Sequence, residues 1–168
     1  LIGDHRQLPP TVISRRAEKG GLDRSLFERL IDMGISPSIL TTQYRMHPAI
    51  SEFPNTQFYD GVLEDGVEAS DRETPGGILW PDWDVPLLFL PVDGDEVLSP
   101  DGASKENPVE ASWVVKILMD LVDSGGFATS QVGIVTPYAG QVRSIRDILP
   151  EQFQSVEVRT IDGYQGRE

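Results

Sequence analysis

Between residues 87 and 161 the chain alternates short apolar runs with amphipathic helices, and no other stretch limits its fold so tightly. Leu87-Leu88-Phe89-Leu90-Pro91-Val92 is a continuous apolar run that predicts a buried strand. Asn107-Pro108-Val109-Glu110 supplies an N-cap, a proline for the first helical position and an acid for the third. The helix that follows would bury Ala111, Val114, Val115, Leu118, Leu121 and Val122, spaced by threes and fours, and Gly125-Gly126 ends it. Val132-Gly133-Ile134-Val135-Thr136 predicts a second strand. Ala139 to Leu149 predicts a second helix with Val142, Ile145, Ile148 and Leu149 inward, and Val156-Glu157-Val158-Arg159-Thr160 a third strand. The order β-α-β-α-β requires parallel strands joined by crossovers. The predicted class is therefore α/β, a parallel sheet with helices on both faces. Such sheets bind ligands at the carboxyl ends of their strands.

The upstream half is less regular. Leu1-Ile2 reads as the end of a buried strand, with Gly3-Asp4 as its exit turn, so the chain is expected to be a piece of a longer polypeptide. Residues 6–21 read as a loop with a basic tip (Arg15, Arg16, Lys19). Ser25 and Glu28 fit a capping box for a helix with Leu26, Leu30 and Met33 on one stripe, stopped by Gly34. Ile39-Leu40-Thr41-Thr42 predicts a short strand. Pro48 should open a helix with Ile50 and Phe53 inward, and residues 60–85 an irregular surface excursion.

Charge and composition narrow the function classes. The net charge is −13, but residues 60–106 hold 13 acids against only Arg72 and Lys105. The acidity is local, read as a solvated face or a partner-binding segment, and the rest of the chain can line a phosphate-tolerant cleft. No apolar span of about 18 residues is present, so no membrane helix and no membrane partner is expected. The chain has no Cys, and its two His, His5 and His47, lack ligand-like spacing, so no protein-only metal site is expected.

Four polar clusters carry candidate chemistry, each with a plainer alternative. In Gly3-Asp4-His5-Arg6-Gln7-Leu8-Pro9-Pro10, a short carboxylate and the Gln7 amide can reach a phosphate or its water; the alternative is an ordinary turn. In Tyr44-Arg45-Met46-His47-Pro48, Tyr44 offers a flat face for a base and Arg45 a fork of five permanent donors for a terminal phosphate. The alternative is a core Tyr, a surface ion pair and a capping His. Thr136-Pro137-Tyr138 with Gln141 can hold a phosphate and stack a base, or simply cap a helix. Thr160 to Glu168, with Gly163 and Gly166, forms a tight loop shaped by a ligand or by turning alone.

Taken in order, GDHRQLPP, QYRMHP, VGIVTPYAGQ and VRTIDGYQGRE resemble superfamily 1 helicases, and most of all the up-frameshift, or regulator-of-nonsense-transcripts, RNA helicase group. SLFERLIDMG, FPNTQFYDG and ASDRE are similar to that group too. The resemblance implies two RecA-like domains with ATP between them and single-stranded nucleic acid across their tops. Residues 1–38 would be the tail of the first domain and 39–168 most of the second. It implies Gln7 as γ-phosphate sensor, Asp4 as its coupling to nucleic acid, Tyr44 as adenine platform and Arg45 as finger. Glu168 would be an acid near the nucleotide with Gly166 shaping its loop, and Thr136, Pro137, Tyr138 and Thr160 would lie towards the strand.

The implied substrate is ATP, with Mg2+ ligands expected upstream of Leu1. The implied partners are single-stranded RNA or DNA and mRNA-surveillance proteins, in the cytoplasm or the nucleus. No GxxxxGK[ST] loop occurs in the sequence, so the 168-residue chain alone is expected not to hydrolyse ATP. A related DNA or RNA–DNA helicase, of the senataxin-like or immunoglobulin-mu-binding type, and a non-catalytic interaction module remain the alternatives.

Overall fold

The computed structural model describes residues 1–166. They form two compact units: Leu1–Tyr44 with Glu52–Gly66, and Arg45–Ser51 with the chain from Val67 onward.

The larger unit carries the predicted alternation. Helix α4 is Pro108–Met119, strand β5 Gly133–Thr136, helix α5 Ala139–Ile148, strand β6 Glu157–Thr160 and the short helix α6 Ile161–Tyr164. Strands β5 and β6 pair in parallel, Gly133 opposite Glu157 and Thr136 opposite Thr160. Ile134 of β5 and Val158 of β6, with Val156 just before β6, join Ala111, Val115 and Leu118 of α4, Ile145 of α5, Leu149 at its end, and Phe153 in one buried cluster. Each of the Val, Leu, Ile and Phe side chains so removed from water contributes roughly 1.5–3 kcal/mol. Asn107 caps α4 as its sequence requires, accepting from the Val109 and Glu110 amides, both at 3.1 Å. The fold is thus α/β with parallel strands, as expected.

The inward stripe of α5 differs from the apolar pattern. Gln141, Ile145 and Leu149 are buried, whereas Ile148 is 46% exposed. A polar residue occupies the core position one turn before Ile145, and its bonds, described below, make that burial tolerable.

The predicted strand 87–92 does not form. Leu87 and Phe89 are exposed, and the Leu87 amide donates instead to the Val85 carbonyl two residues back at 2.7 Å. Pro86 and Pro91 remove two further donors from the stretch. Downstream, residues 93–106 contain an antiparallel hairpin of β3 (Val97–Leu98) and β4 (Lys105–Glu106).

In the smaller unit, residues 15–19 of the expected loop wind into helix α1 (Arg15–Lys19), capped by Ser14. Helix α2 (Leu26–Asp32) has the Ser25 hydroxyl accepting from the Glu28 amide at 3.1 Å, and the Gly34 amide closes it on the Ile31 carbonyl. Leu1-Ile2 is not a strand; both residues are exposed. The predicted strand at 39–42 shifts to β1 (Thr42–Gln43), because the pairing segment β2 (Glu64–Asp65) reaches only those two residues. Ile39 and Leu40 stay exposed.

Helix α3 (Pro48–Phe58) starts on its proline as expected. Phe53, predicted inward, is 67% exposed and meets Phe58 edge to face at 6.3 Å instead. The Asn55 side chain both donates to the Leu63 carbonyl and accepts from the Leu63 amide, each at 2.9 Å, setting the approach to β2.

Candidate functional site

Gln7 and Tyr44 fall in the smaller unit. Arg45, Thr136, Pro137, Tyr138, Thr160 and Gly166 fall in the larger. Glu168 lies outside the described residues.

Asp4 and Gln7 are held together. The Gln7 side-chain amide donates to Asp4 Oδ2 at 2.8 Å, and the Arg6 backbone amide donates to Oδ1 at 2.9 Å. A third donor comes from 55 residues away: the Tyr59 phenol bonds Asp4 Oδ2 at 2.7 Å. Burial alone would raise the Asp4 carboxyl, but the bonds from Tyr59, Arg6 and Gln7 outweigh it and hold the carboxyl below its ordinary value of 3.8. The Tyr59 phenol is raised above 10.0, first by burial, then by its bond to Asp4 and that carboxylate's charge. Sequence reasoning missed Tyr59. Its only signal was its place in FPNTQFYDG, where the helix ends in a turn with Asp60 and Gly61 at positive φ.

The Tyr44 side chain is 65% exposed, not core. Its ring lies against the backbone of Gly66, directly after β2; a Cβ built on Gly66 would fall 2.3 Å from Cε1 and 2.6 Å from Cδ1. The strand pair beneath is pinned by the Gly66 amide on the Gln43 carbonyl at 2.8 Å and by Gln43 Nε2 on Asp65 Oδ1 at 2.6 Å.

Arg45 is exposed, while its carbonyl accepts from Arg72 Nε at 3.0 Å. Arg72 also donates to the Asp71 carbonyl at 2.8 Å, and Asp71 caps the Glu68 amide at 2.8 Å. The ASDRE segment thereby anchors the main chain at Arg45. His47 is buried, and its Nδ1 accepts from the Ala49 amide at 3.1 Å, so it serves as the cap of α3.

Thr136 and Thr160 are register partners at the carboxyl ends of β5 and β6, where parallel sheets place their ligands. Both hydroxyls already cap local amides, Thr136 that of Tyr138 and Thr160 that of Gly163, each at 3.3 Å. Tyr138 is 43% exposed and Pro137 is exposed beside it. Gly166 adopts φ 77°, and the Tyr164 phenol ties this loop back to the Glu157 carbonyl at 2.6 Å.

The start of α5 is enclosed by the β3–β4 hairpin. The Gly140 amide donates to Ser104 Oγ at 3.0 Å, and a Cβ at 140 would lie 2.6 Å from the Lys105 carbonyl oxygen. Arg143 reaches Asp101 at 2.8 Å, while the Ser99 hydroxyl, followed by the Ala103 amide, lowers the Asp101 carboxyl. Lys105 pairs with Glu96, whose bond and charge raise its ammonium. Buried Gln141 accepts from the Asn107 amide at 2.6 Å and donates to the Asn107 carbonyl at 3.1 Å. Gln141 is therefore committed to the core rather than to a phosphate. Among the described residues no group of three or more His, Asp or Glu can hold a metal ion. None of the described helices is long and apolar enough to cross a membrane.

The AAA domain family matches residues 22–168. Over its whole length the chain is 41% identical to the regulator of nonsense transcripts 1 homolog of Arabidopsis thaliana and 42% to regulator of nonsense transcripts 1 of Caenorhabditis elegans. It is 39% identical to the ATP-dependent helicase NAM7 of Saccharomyces cerevisiae. The chain spans 14%, 16% and 18% of those three proteins.

Proposed function

The chain belongs to the AAA domain family, in the superfamily 1, regulator-of-nonsense-transcripts group, and from that premise we propose that it serves an ATP-dependent RNA helicase of nonsense-mediated mRNA decay. In this reading residues 1–38 end one RecA-like domain and residues 39–168 make up most of a second. The protein moves 5′ to 3′ along single-stranded RNA in the cytoplasm, alongside mRNA-surveillance proteins.

The observation that carries the proposal is the exposed Tyr44 ring followed at once by exposed Arg45, whose main chain is anchored by Arg72. Tyr44 supplies a stacking surface for adenine. Arg45 supplies the fork that neutralises charge developing on the transferred γ-phosphoryl group. Gln7, oriented by Asp4, can donate and accept at the attacking water or γ-phosphate without bringing charge. Gly166, at φ 77°, turns the chain after α6, and Glu168 supplies an acid for the nucleotide. Tyr138 and Pro137 offer stacking and apolar surface to the strand, with Thr136 and Thr160 holding the loops that present them.

The test is RNA-stimulated ATP turnover by the full-length protein with and without Arg45→Ala. A true finger costs on the order of 10³–10⁵ in kcat. A loss below tenfold assigns Arg45 a structural role. Stimulation by single-stranded DNA and not RNA would move the protein to the DNA helicases, and no stimulation by either would make it an interaction module.

A further inference from the structure

We infer that Gly66 is a positioning residue for the nucleotide base: its missing side chain makes the seat on which the Tyr44 ring rests. The inference builds on the reading of Tyr44 as the base platform.

Three facts carry it. The first is distance. A Cβ on Gly66 would sit 2.3 Å from Tyr44 Cε1, 2.6 Å from Cδ1 and 2.8 Å from Thr42 Cγ2. Carbon atoms that merely touch keep about 3.5–4.0 Å apart, so any residue other than glycine displaces something by about 1 Å.

The second is which group yields. The backbone at 66 cannot retreat freely, since its amide is bonded to the Gln43 carbonyl at 2.8 Å and Glu64 and Asp65 are paired with Thr42 and Gln43. Asn55 holds Leu63 just upstream through two bonds. The Tyr44 ring is the end of a side chain with two torsions and is 65% exposed, so it swings away.

The third is that backbone conformation gives no reason for glycine here. Gly66 is absent from the glycines with positive φ, among them Gly61 close by. An alanine at 66 fits the main chain and fails only against its neighbours. Glycine at this position is therefore explained by the ring above it. A seated ring is preorganised for stacking, whereas a displaced one must be returned by the ligand at a cost in affinity.

The experiment uses the full-length protein and four forms: wild type, Tyr44→Ala, Gly66→Ala and the double variant. Steady-state ATP turnover is measured at saturating RNA, with inorganic tripolyphosphate, which has no base, as competitive inhibitor. Gly66→Ala should raise KM for ATP about tenfold, the scale of one lost base–aromatic stack. It should leave kcat within about twofold and the tripolyphosphate inhibition constant unchanged, and in the Tyr44→Ala background it should add nothing.

A Gly66→Ala KM equal to wild type, with Tyr44→Ala raising it, overturns the inference and leaves Tyr44 as the platform. A Tyr44→Ala KM equal to wild type overturns both. A Gly66→Ala effect that persists in full on top of Tyr44→Ala, or that weakens tripolyphosphate equally, shows a general structural role and also overturns it. If Gly66→Ala lowers the melting temperature markedly, adding Thr42→Ser relieves the second close contact and the same comparisons decide.

Discussion

Replacing Asn107 by alanine should destabilise the larger unit by about 1.5–3 kcal/mol, and the structure says where each part arises. Asn107 Oδ1 accepts from the Val109 and Glu110 amides at 3.1 Å, and a lost cap of this kind costs about 0.5–2 kcal/mol. Asn107 Nδ2 donates to the Gly94 carbonyl at 2.9 Å, and leaving that carbonyl without its donor adds roughly 1 kcal/mol. The two bonds to Gln141 use the Asn107 backbone and survive the substitution. Asn107→Asp separates the two contributions. It keeps the acceptor, with a charge that suits a helix N-terminus, and forfeits only the Gly94 bond, so it should cost about 1 kcal/mol. Trp80, Trp83 and Trp113 all belong to the larger unit, so tryptophan emission during urea unfolding reports on it. A loss below about 0.5 kcal/mol for Asn107→Ala, or an Asp variant as damaged as the Ala variant, would refute this account of the α4 start.

Other consequences are open to measurement. Because the folded Asp4 carboxyl lies below 3.8, its contribution to stability is complete above that pH and is lost as pH falls through the folded value. Tyr59→Phe should move the Asp4 titration, followed by NMR, back upward; an unmoved carboxyl would show that the phenol is not its main donor. Tyr59 titrates above 10.0, so its own contribution holds below pH 10 and fades as the phenol ionises above it. Phe153 is 1% exposed in the centre of the core, and Phe153→Ala should cost about 3–5 kcal/mol in urea unfolding, with less than 1 kcal/mol excluding a packed core at that site.

The elements that sequence made legible are those whose signals are local. Asn107-Pro108, Ser25 with Glu28 and Pro48 each start a helix where expected, because a cap is a contact between near neighbours. The parallel order of β5 and β6 follows from the intervening helix. What sequence misread depends on remote partners. Leu87–Val92 has the composition of a strand, but a strand exists only where another offers a ladder, and here the Leu87 amide turns back on Val85. The apolar spacing of α5 puts Val142, Ile145, Ile148 and Leu149 on its inward stripe and leaves polar Gln141 off it. Only the Asn107 backbone, 34 residues upstream, makes its burial affordable. At the candidate site, the motif order predicted Tyr44 and Arg45. Tyr59 is marked only by its place in FPNTQFYDG, and Gly66 carries no local signal, because their partners Asp4 and Tyr44 lie 55 and 22 residues away.

Asn55 and Gln141 share a further property. Each offers one donor and one acceptor to the backbone of a single residue, Leu63 and Asn107, as an opposite residue does in a hydrogen-bonded antiparallel pair. They act as peptide groups that the chain carries on side chains. Such a surrogate is chemically perishable in a way that a true strand is not. Hydrolysis of either amide to a carboxylate replaces the donor by a second acceptor, facing a carbonyl that then has no partner. At Asn55 that change loosens the approach to the Tyr44 seat, and at Gln141 it parts the starts of two helices. Deamidation at either position would therefore be felt at the approach to β2 and at the paired starts of α4 and α5.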